Sequence, residues 1–205
     1  MDWCGWRICF GVPSDFRNKK DIARQCLEVA NAAHFPTDYD DVFSHLFGNE
    51  SYIICTISDK DGKLGGFSIF AKLEDIDTLY LHGIVLHPRA QGKGLSSKMI
   101  EIVIENTGLT FLSARTHNPR MFETLSNFAC SPSEYYPNVD KSKIPEYIYD
   151  LVRKNEFTED ADEFLIVRNA YPDEKISQTF RNEKISNVFK RLNTMNAQAI
   201  VVKVK

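Results

Sequence analysis

The sequence predicts a single α/β domain of the α+β kind, in which helices flank a mixed, mostly antiparallel central sheet. Strand-like and helix-like segments alternate along the 205 residues, and one pair of strands is joined by a hairpin signal. Near the middle of the chain, a strand, a glycine-containing turn and a helix follow one another. A chain of this length buries one substantial core and does not require a second domain.

The segments before the glycine-containing turn follow from hydrophobic periodicity. They are a strand over residues 6–12, helices over 22–33 and 39–47, and strands over 52–57 and 64–71. Asp61-Gly62 lies between the last two strands and predicts a hairpin, because this dipeptide tolerates positive φ.

The most informative segment runs from residue 79 to residue 108. A strand-like run ends before Pro88, and a short basic turn then contains Gly92 and Gly94. The apolar residues that follow have the spacing of one helix face: Leu95, Met99, Ile102 and Val103. This order of elements presents unpaired backbone N–H groups at the positive end of a helix, where they bind phosphate oxygens.

The last third of the chain is less regular. Residues 109–115, 164–168 and 199–204 predict strands, and Thr107-Gly108 predicts the end of the preceding helix. Prolines at 132, 137 and 145 interrupt the pattern between residues 131 and 162, so irregular structure is expected there.

Two common nucleotide-binding motifs do not fit the glycine-containing turn. A dinucleotide-binding fingerprint requires a third glycine where Ser97 stands. A Walker A loop requires glycine at the position of His87 and serine or threonine at the position of Gly94. Neither motif explains the two glycines that are present.

Residues 91–96, with the sequence Gln-Gly-Lys-Gly-Leu-Ser, closely resemble the (Gln/Arg)-x-x-Gly-x-(Gly/Ala) signature of the GCN5-related N-acetyltransferase (GNAT) superfamily. Only Ser96 departs from that signature. Residues 84–88 resemble the end of the family's fourth strand, and residues 109–128 its fifth strand and fourth helix. The resemblance implies an acyl-CoA N-acyltransferase fold for one domain over residues 1–205, with 131–205 as a less typical C-terminal elaboration.

The resemblance also implies acetyl-CoA, a form of coenzyme A (CoA), as the co-substrate. Backbone amides around the turn would hold the pyrophosphate, the strand edge before the turn would pair with the pantetheine arm, and an asparagine after the fifth strand would contact the cofactor. The residues predicted to bind the cofactor are Ile84, Val85, Leu86, Gln91, Gly92, Lys93, Gly94, Leu95, Ser96, Ser97, Asn118 and Phe122.

An attacking alkyl amine must lose its proton, so the reaction needs a base or a desolvating pocket. His82 is the candidate base, because an unperturbed histidine titrates in the useful range. Tyr80-Leu81-His82 also resembles the strand segment that carries a histidine in the arylalkylamine N-acetyltransferase branch. Strand alternation would place Tyr80, His82, Ile84 and Leu86 on one face. The alternative is a hydrogen-bonded histidine on a half-buried strand.

The proton donor for the leaving thiolate is not evident from the sequence. Many family members use a tyrosine in the helix after the asparagine, but Phe122 occupies that place and a phenyl ring cannot donate a proton. The acid is therefore missing, supplied by water, or drawn from elsewhere, with Tyr80, Tyr135 and Tyr136 as candidates. The predicted catalytic residues are His82 and Tyr80. No cysteine lies in either motif, which favours direct transfer in a ternary complex over a covalent acyl-enzyme.

Composition argues against a nucleic-acid-binding protein and against a membrane-spanning protein. A net charge of −3 argues against nucleic-acid binding, and no apolar run has the length of a membrane span. Five cysteines without a C-x-x-C pair predict reduced thiols in the cytoplasm. No histidine and carboxylate spacing suggests a metal site.

These observations predict a cytoplasmic N-acetyltransferase that transfers acetyl from acetyl-CoA to a primary amine of a small molecule or protein. The alternative is a CoA-binding regulatory or scaffolding domain without turnover. Residues 131–205 would cover the acceptor site or form a homodimer surface. The acidic residues Asp38, Asp40 and Asp41 would either attract the cationic amine or cap a helix.

Overall fold

The computed structural model describes residues 1–138, 143–155, 157–168, 170, 185, 188–189, 192 and 196–204. The chain forms two compact units. The first unit comprises Met1–Lys72 and Leu81–Gly108, and the second comprises Leu73–Tyr80 and Leu109–Lys205.

The first unit contains five strands and three α-helices among its described residues. These elements are β1 (Asp2–Trp3), β2 (Trp6–Gly11), α1 (Lys19–Ala32), α2 (Tyr39–Phe47), β3 (Tyr52–Ser58), β4 (Leu64–Leu73), β5 (Thr78–Leu86) and α3 (Leu95–Thr107). The strand order is β1-β2-β3-β4-β5, and the pairs from β1 to β4 are antiparallel. The last residue of β4, Leu73, and the first residues of β5, up to Tyr80, belong to the second unit.

The predicted hairpin joins β3 to β4. Gly62 has φ +80°, and its backbone N–H donates to the carbonyl oxygen of Asp59 at 3.0 Å. The Asp59 side chain accepts from the backbone N–H groups of Asp61 and Lys63 through Oδ1, at 3.1 and 2.9 Å. The sequence prediction of a tight turn at Asp61-Gly62 is therefore confirmed.

Helices cover both faces of this sheet. The core beneath α1 and α2, which we call the α1/α2 core, consists of Ala23, Cys26, Val29, Val42, Leu46, Phe47, Ile54, Leu64, Phe67 and Ile69. Ile53 points to the opposite face by strand alternation and, with Val103 of α3, lines a cavity of about 320 Å³ there. Helices on both faces of a mostly antiparallel sheet match the predicted fold class.

The acidic residues before α2 act as a helix cap. Asp38 is the N-cap residue, and its Oδ1 accepts from the backbone N–H of Asp41 at 2.9 Å. Asp41 in turn lies 3.1 Å from His45 Nδ1, one turn along the helix. An acidic side chain at this end also complements the helix dipole. The capping interpretation accounts for this segment without a ligand.

The second unit is built around its C-terminal strand. It contains β6 (Phe111–Thr116), α4 (Pro119–Ser126), β7 (Tyr135–Tyr136), α5 (Glu146–Lys154), β8 (Ile166–Val167) and β9 (Ala197–Lys203). The strand β9 is buried along nearly its whole length and pairs antiparallel with β6, β7 and β8. Within this unit the strand order is β5-β6-β9-β7, with β8 beside β9.

The helix α5 corrects the expectation of irregular structure between residues 131 and 162. It begins directly after Pro145, its N-cap residue, and packs Ile148, Leu151 and Val152 into the core of the second unit. These three residues have the i, i+3, i+4 spacing of a helix face. A proline just before the first helical turn is compatible with helix initiation, so the proline marked the start of this helix rather than a loop.

All five cysteines are free thiols. Burial raises the pKa of Cys55 to about 12 and also raises the pKa of Cys26, so both thiols stay protonated at neutral pH. In the part of the chain that the structure describes, no helix has the length and apolar character needed to cross a bilayer.

Candidate functional site

The glycine turn, defined as residues 87–94, joins β5 to α3. It opens with a short 3-10 helix over Pro88–Ala90. Gly92 and Gly94 then have φ of +73° and +72°, in the left-handed region that favours glycine. A Cβ atom at either position would meet no other atom within 4 Å. The backbone conformation therefore favours glycine at both positions, and the space beside them is open to a ligand.

The N-terminus of α3 offers backbone donors without a competing acid. Gly94 is the N-cap residue and provides no side-chain cap, and the first turn contains no acidic residue. The amides of Leu95, Ser96 and Ser97 therefore remain for another acceptor. The partial positive charge at this helix end favours an anion. Gly92, Lys93 and Gly94 are exposed beside it.

Two hydrogen bonds fix the start of the glycine turn. The backbone N–H of His87 donates to the carbonyl oxygen of Gly65 in β4 at 2.9 Å. The side-chain amide of Gln91 donates to the carbonyl oxygen of Leu86 at 3.0 Å. Gln91, predicted to bind the cofactor, thus holds the turn against the end of β5.

His87 is held in its neutral form. Its Nδ1 accepts from the backbone N–H of Arg89 at 3.2 Å. Burial lowers the pKa of His87 below its ordinary 6.5, and the positive charges of Arg89 and Lys63 lower it further. A protonated ring would lose the hydrogen bond at Nδ1 and face two cations.

We expect the free energy of unfolding to decrease as the pH is lowered, because His87 becomes protonated. Because the unfolded chain binds a proton at His87 more readily than the folded chain, protonation favours unfolding below about pH 6.5. The free energy of unfolding should therefore drop less in His87→Asn than in wild type between about pH 7.5 and about pH 5.5. Asparagine keeps an oxygen acceptor and carries no titratable group. An equal drop in urea titrations of both proteins would contradict this assignment.

The strand residues before the turn are half-buried. Ile84, Val85 and Leu86 are all of intermediate exposure, and Val85 contacts the α1/α2 core. His82 is also half-buried, and its ring lies 4.8 Å from the ring of Tyr52, centroid to centroid. Tyr52 in turn packs against the α1/α2 core.

Tyr80 belongs to the second unit and lies in its interior. Only 1% of its surface is exposed, and its ring stacks on Phe157 with a centroid distance of 4.5 Å and an interplanar angle of 17°. The Tyr80 ring is therefore packed inside the second unit.

Asn118 and Phe122 are also in the second unit. Asn118 is exposed and is the N-cap residue of α4, where its Oδ1 accepts from the backbone N–H of Arg120 at 3.0 Å. Phe122 is fully buried and makes edge-to-face contacts with Tyr135 and Phe189 at 6.3 and 5.6 Å. The first residue presents a polar group at the surface, and the second fills the core.

Three solved structures share the fold over nearly the whole chain. The ribosomal-protein-S18-alanine N-acetyltransferase of Escherichia coli is 15% identical, with 97% of this chain and 95% of that chain covered and a TM-score of 0.56. Tetrahymena GCN5 is 5% identical (97% and 96% covered, TM-score 0.56). An aminoglycoside 6'-acetyltransferase type Ii is 12% identical (97% and 97% covered, TM-score 0.55). At these identities the likeness shows the fold alone, and it confirms the predicted fold class.

The family follows from the sequence match. The model of the Acetyltransferase (GNAT) family matches residues 17–122, just over half of the chain. The chain therefore belongs to the GNAT acetyltransferase family, as its resemblance at residues 91–96 predicted. No curated protein matches the sequence. Within the described residues, no cluster of three histidine, cysteine or acidic side chains could hold a metal ion.

Proposed function

We propose that this GNAT-family protein transfers an acetyl group from acetyl-CoA to a primary amine of a small molecule or a protein. The observation that supports this proposal most strongly is the glycine turn. Its two left-handed glycines leave open space beside the uncapped N-terminus of α3, which has no acidic residue in its first turn. A pyrophosphate group fits such a site, because backbone N–H groups and the helix dipole both favour an anion.

Each part of the turn has a proposed role toward the cofactor. The amides from Gly92 to Ser97 bind the pyrophosphate, and Lys93 adds positive charge at its rim. Lys93 is exposed, and its Nζ lies 5.2 Å from the ring centroid of Trp6. The backbone of residues 84–86 pairs with the pantetheine arm. When bound, acetyl-CoA supplies an activated thioester.

His82 is the proposed base for the amine. An alkyl amine is protonated near neutral pH, and direct attack requires its neutral form. The half-buried position of His82 on β5 suits proton removal in a site partly shielded from water. A proton for the leaving thiolate comes from solvent in this proposal, because Phe122 cannot donate one and Tyr80 is 1% exposed.

The class of acceptor and the location are part of the same proposal. GNAT acetyltransferases of this fold include enzymes named for a ribosomal protein and for aminoglycosides, so both proteins and small amines are candidate acceptors. A reducing compartment such as the cytoplasm is the proposed location, because none of the five cysteines forms a disulfide.

A second candidate function is a CoA-binding regulatory domain without turnover. The buried phenyl ring of Phe122, at the place where many relatives carry a tyrosine, favours this alternative. Both functions require the glycine turn to bind CoA, so binding alone does not separate them.

Amine-dependent release of CoA thiol from acetyl-CoA separates the two functions. The panel of acceptors should include peptides with a free α-amino group, lysine-containing peptides and an aminoglycoside. The proposed enzyme releases thiol only with an acceptor, and mass spectrometry finds the acetylated amine in equal amount. CoA binding without acetylation of any amine in the panel would favour the regulatory domain.

A further inference from the structure

The guanidinium of Arg89, within the glycine turn, binds the β3–β4 hairpin in three places. Its Nη1 donates to Asp59 Oδ2 at 2.5 Å. Its Nη2 donates to the backbone carbonyl oxygens of Lys63 and Leu64, at 3.1 and 2.7 Å. These acceptors are 25 to 30 residues away in sequence. A planar guanidinium with several fixed donors restrains orientation more strongly than a lysine ammonium would.

Asp59 links the hairpin and the glycine turn through its two carboxylate oxygens. Oδ1 accepts from two backbone N–H groups of the hairpin, whereas Oδ2 accepts from Arg89. Burial raises the pKa of Asp59, but hydrogen bonds from Lys63 and Arg89 outweigh that effect and keep the pKa below its usual value. The carboxylate is therefore ionised at neutral pH and available to Arg89.

The ring of Trp6 also contacts the guanidinium of Arg89. Its ring centroid lies 5.6 Å from the guanidinium carbon of Arg89 and 5.2 Å from Nζ of Lys93. A side chain at Gly65 would collide with the Trp6 ring, so the glycine is needed for this packing. The indole thus contacts side chains near the beginning and near the end of the glycine turn.

We propose that Arg89 and Asp59 form a clamp that holds the glycine turn in its phosphate-binding conformation, so that the β3–β4 hairpin sets the affinity for the pyrophosphate of CoA. This inference rests on the proposed function. Arg89 and Asp59 are positioning residues, because they act through the backbone amides of the turn. A turn ordered before the ligand arrives avoids the entropic cost of ordering it during binding.

The test compares CoA with pantetheine, which has the same thiol arm and no phosphate. In Arg89→Gln, we expect the dissociation constant of CoA to rise about ten-fold, as for the loss of a charge-assisted contact. The dissociation constant of pantetheine, measured by the same ligand-observed NMR titration, should stay unchanged. A merely structural defect would weaken both ligands alike.

Three further variants sharpen the test. Asp59→Asn keeps an oxygen for the hairpin amides but turns an NH₂ group toward Arg89, so it should reproduce the loss of CoA affinity even if Arg89→Gln fails to fold. The double variant, Arg89→Gln with Asp59→Asn, should bind CoA about as weakly as the weaker of the two single variants. The two losses should not add, because the two residues form one contact. Arg24→Gln is the matched control, since Arg24 pairs with Asp21 on the exposed side of α1.

The outcomes distinguish the clamp from the proposed function. Unchanged CoA affinity in both single variants, or equal weakening of CoA and pantetheine, would overturn the clamp while the proposed function stands. A wild-type protein that does not bind CoA would overturn the proposed function and the clamp with it.

Discussion

Replacing Gly94 with aspartate is expected to abolish measurable CoA binding. The new carboxylate would lie at the N-terminus of α3, where it competes with the pyrophosphate for the same amides and repels it. Loss of two charge-assisted hydrogen bonds corresponds to a weakening of about 100-fold or more. Calorimetric titration of the variant with CoA provides the measurement, after circular dichroism has confirmed that it folds.

Gly94→Asn is the matched control for this variant. Gly94 has φ +72°, so either side chain introduces backbone strain, although asparagine and aspartate tolerate this region better than most residues. The two side chains have nearly the same size and differ in charge. CoA affinity should therefore be much higher in Gly94→Asn than in Gly94→Asp. Similar affinities in the two variants would contradict the proposed phosphate site.

The second large effect is expected at His82. In His82→Ala, amine acetylation should fall by a factor of about 10² to 10⁴, the range for loss of a general base. CoA affinity should change little, because His82 precedes both the glycine turn and residues 84–86 of β5, the parts proposed to bind CoA. Steady-state thiol release at saturating acetyl-CoA gives the rate, and calorimetry gives the affinity.

His45→Ala is the control for His82→Ala. His45 lies on α2 with an exposed side chain and pairs with Asp41. This variant should acetylate amines at the wild-type rate. If His82→Ala and wild type release thiol at equal rates, the proposed role of His82 is wrong, although the family membership remains.

The glycine turn was predictable because its signals are local. Gly92, Gly94 and Gly108, which ends α3, all have positive φ. Glycine adopts positive φ more readily than other residues, so its presence in the sequence signals such turns. The bounds of α3 and the β3–β4 hairpin followed from the same kind of signal. Periodicity over a few residues was enough to place these elements in order.

The contacts that support the turn were not predictable from the sequence. Arg89 meets Asp59 and Trp6 only because strand pairing places distant segments side by side. Strand register depends on the whole sheet, and no single segment specifies it. The capping role of Asn118 had a local signal, since asparagine before proline is typical of a helix start. Its predicted contact with the cofactor rests on the family resemblance.

Thermal unfolding of the wild-type protein with acetyl-CoA, CoA, ATP and NAD, side by side, tests the central claim most directly. A ligand at about one hundred times its dissociation constant stabilises the native state by about 2.7 kcal/mol. For a chain of this size, the unfolding midpoint should rise by about 5 to 10 °C. We predict this rise with the two CoA species and none with ATP or NAD. A rise with ATP or NAD and none with CoA would show that the glycine turn serves a different nucleotide.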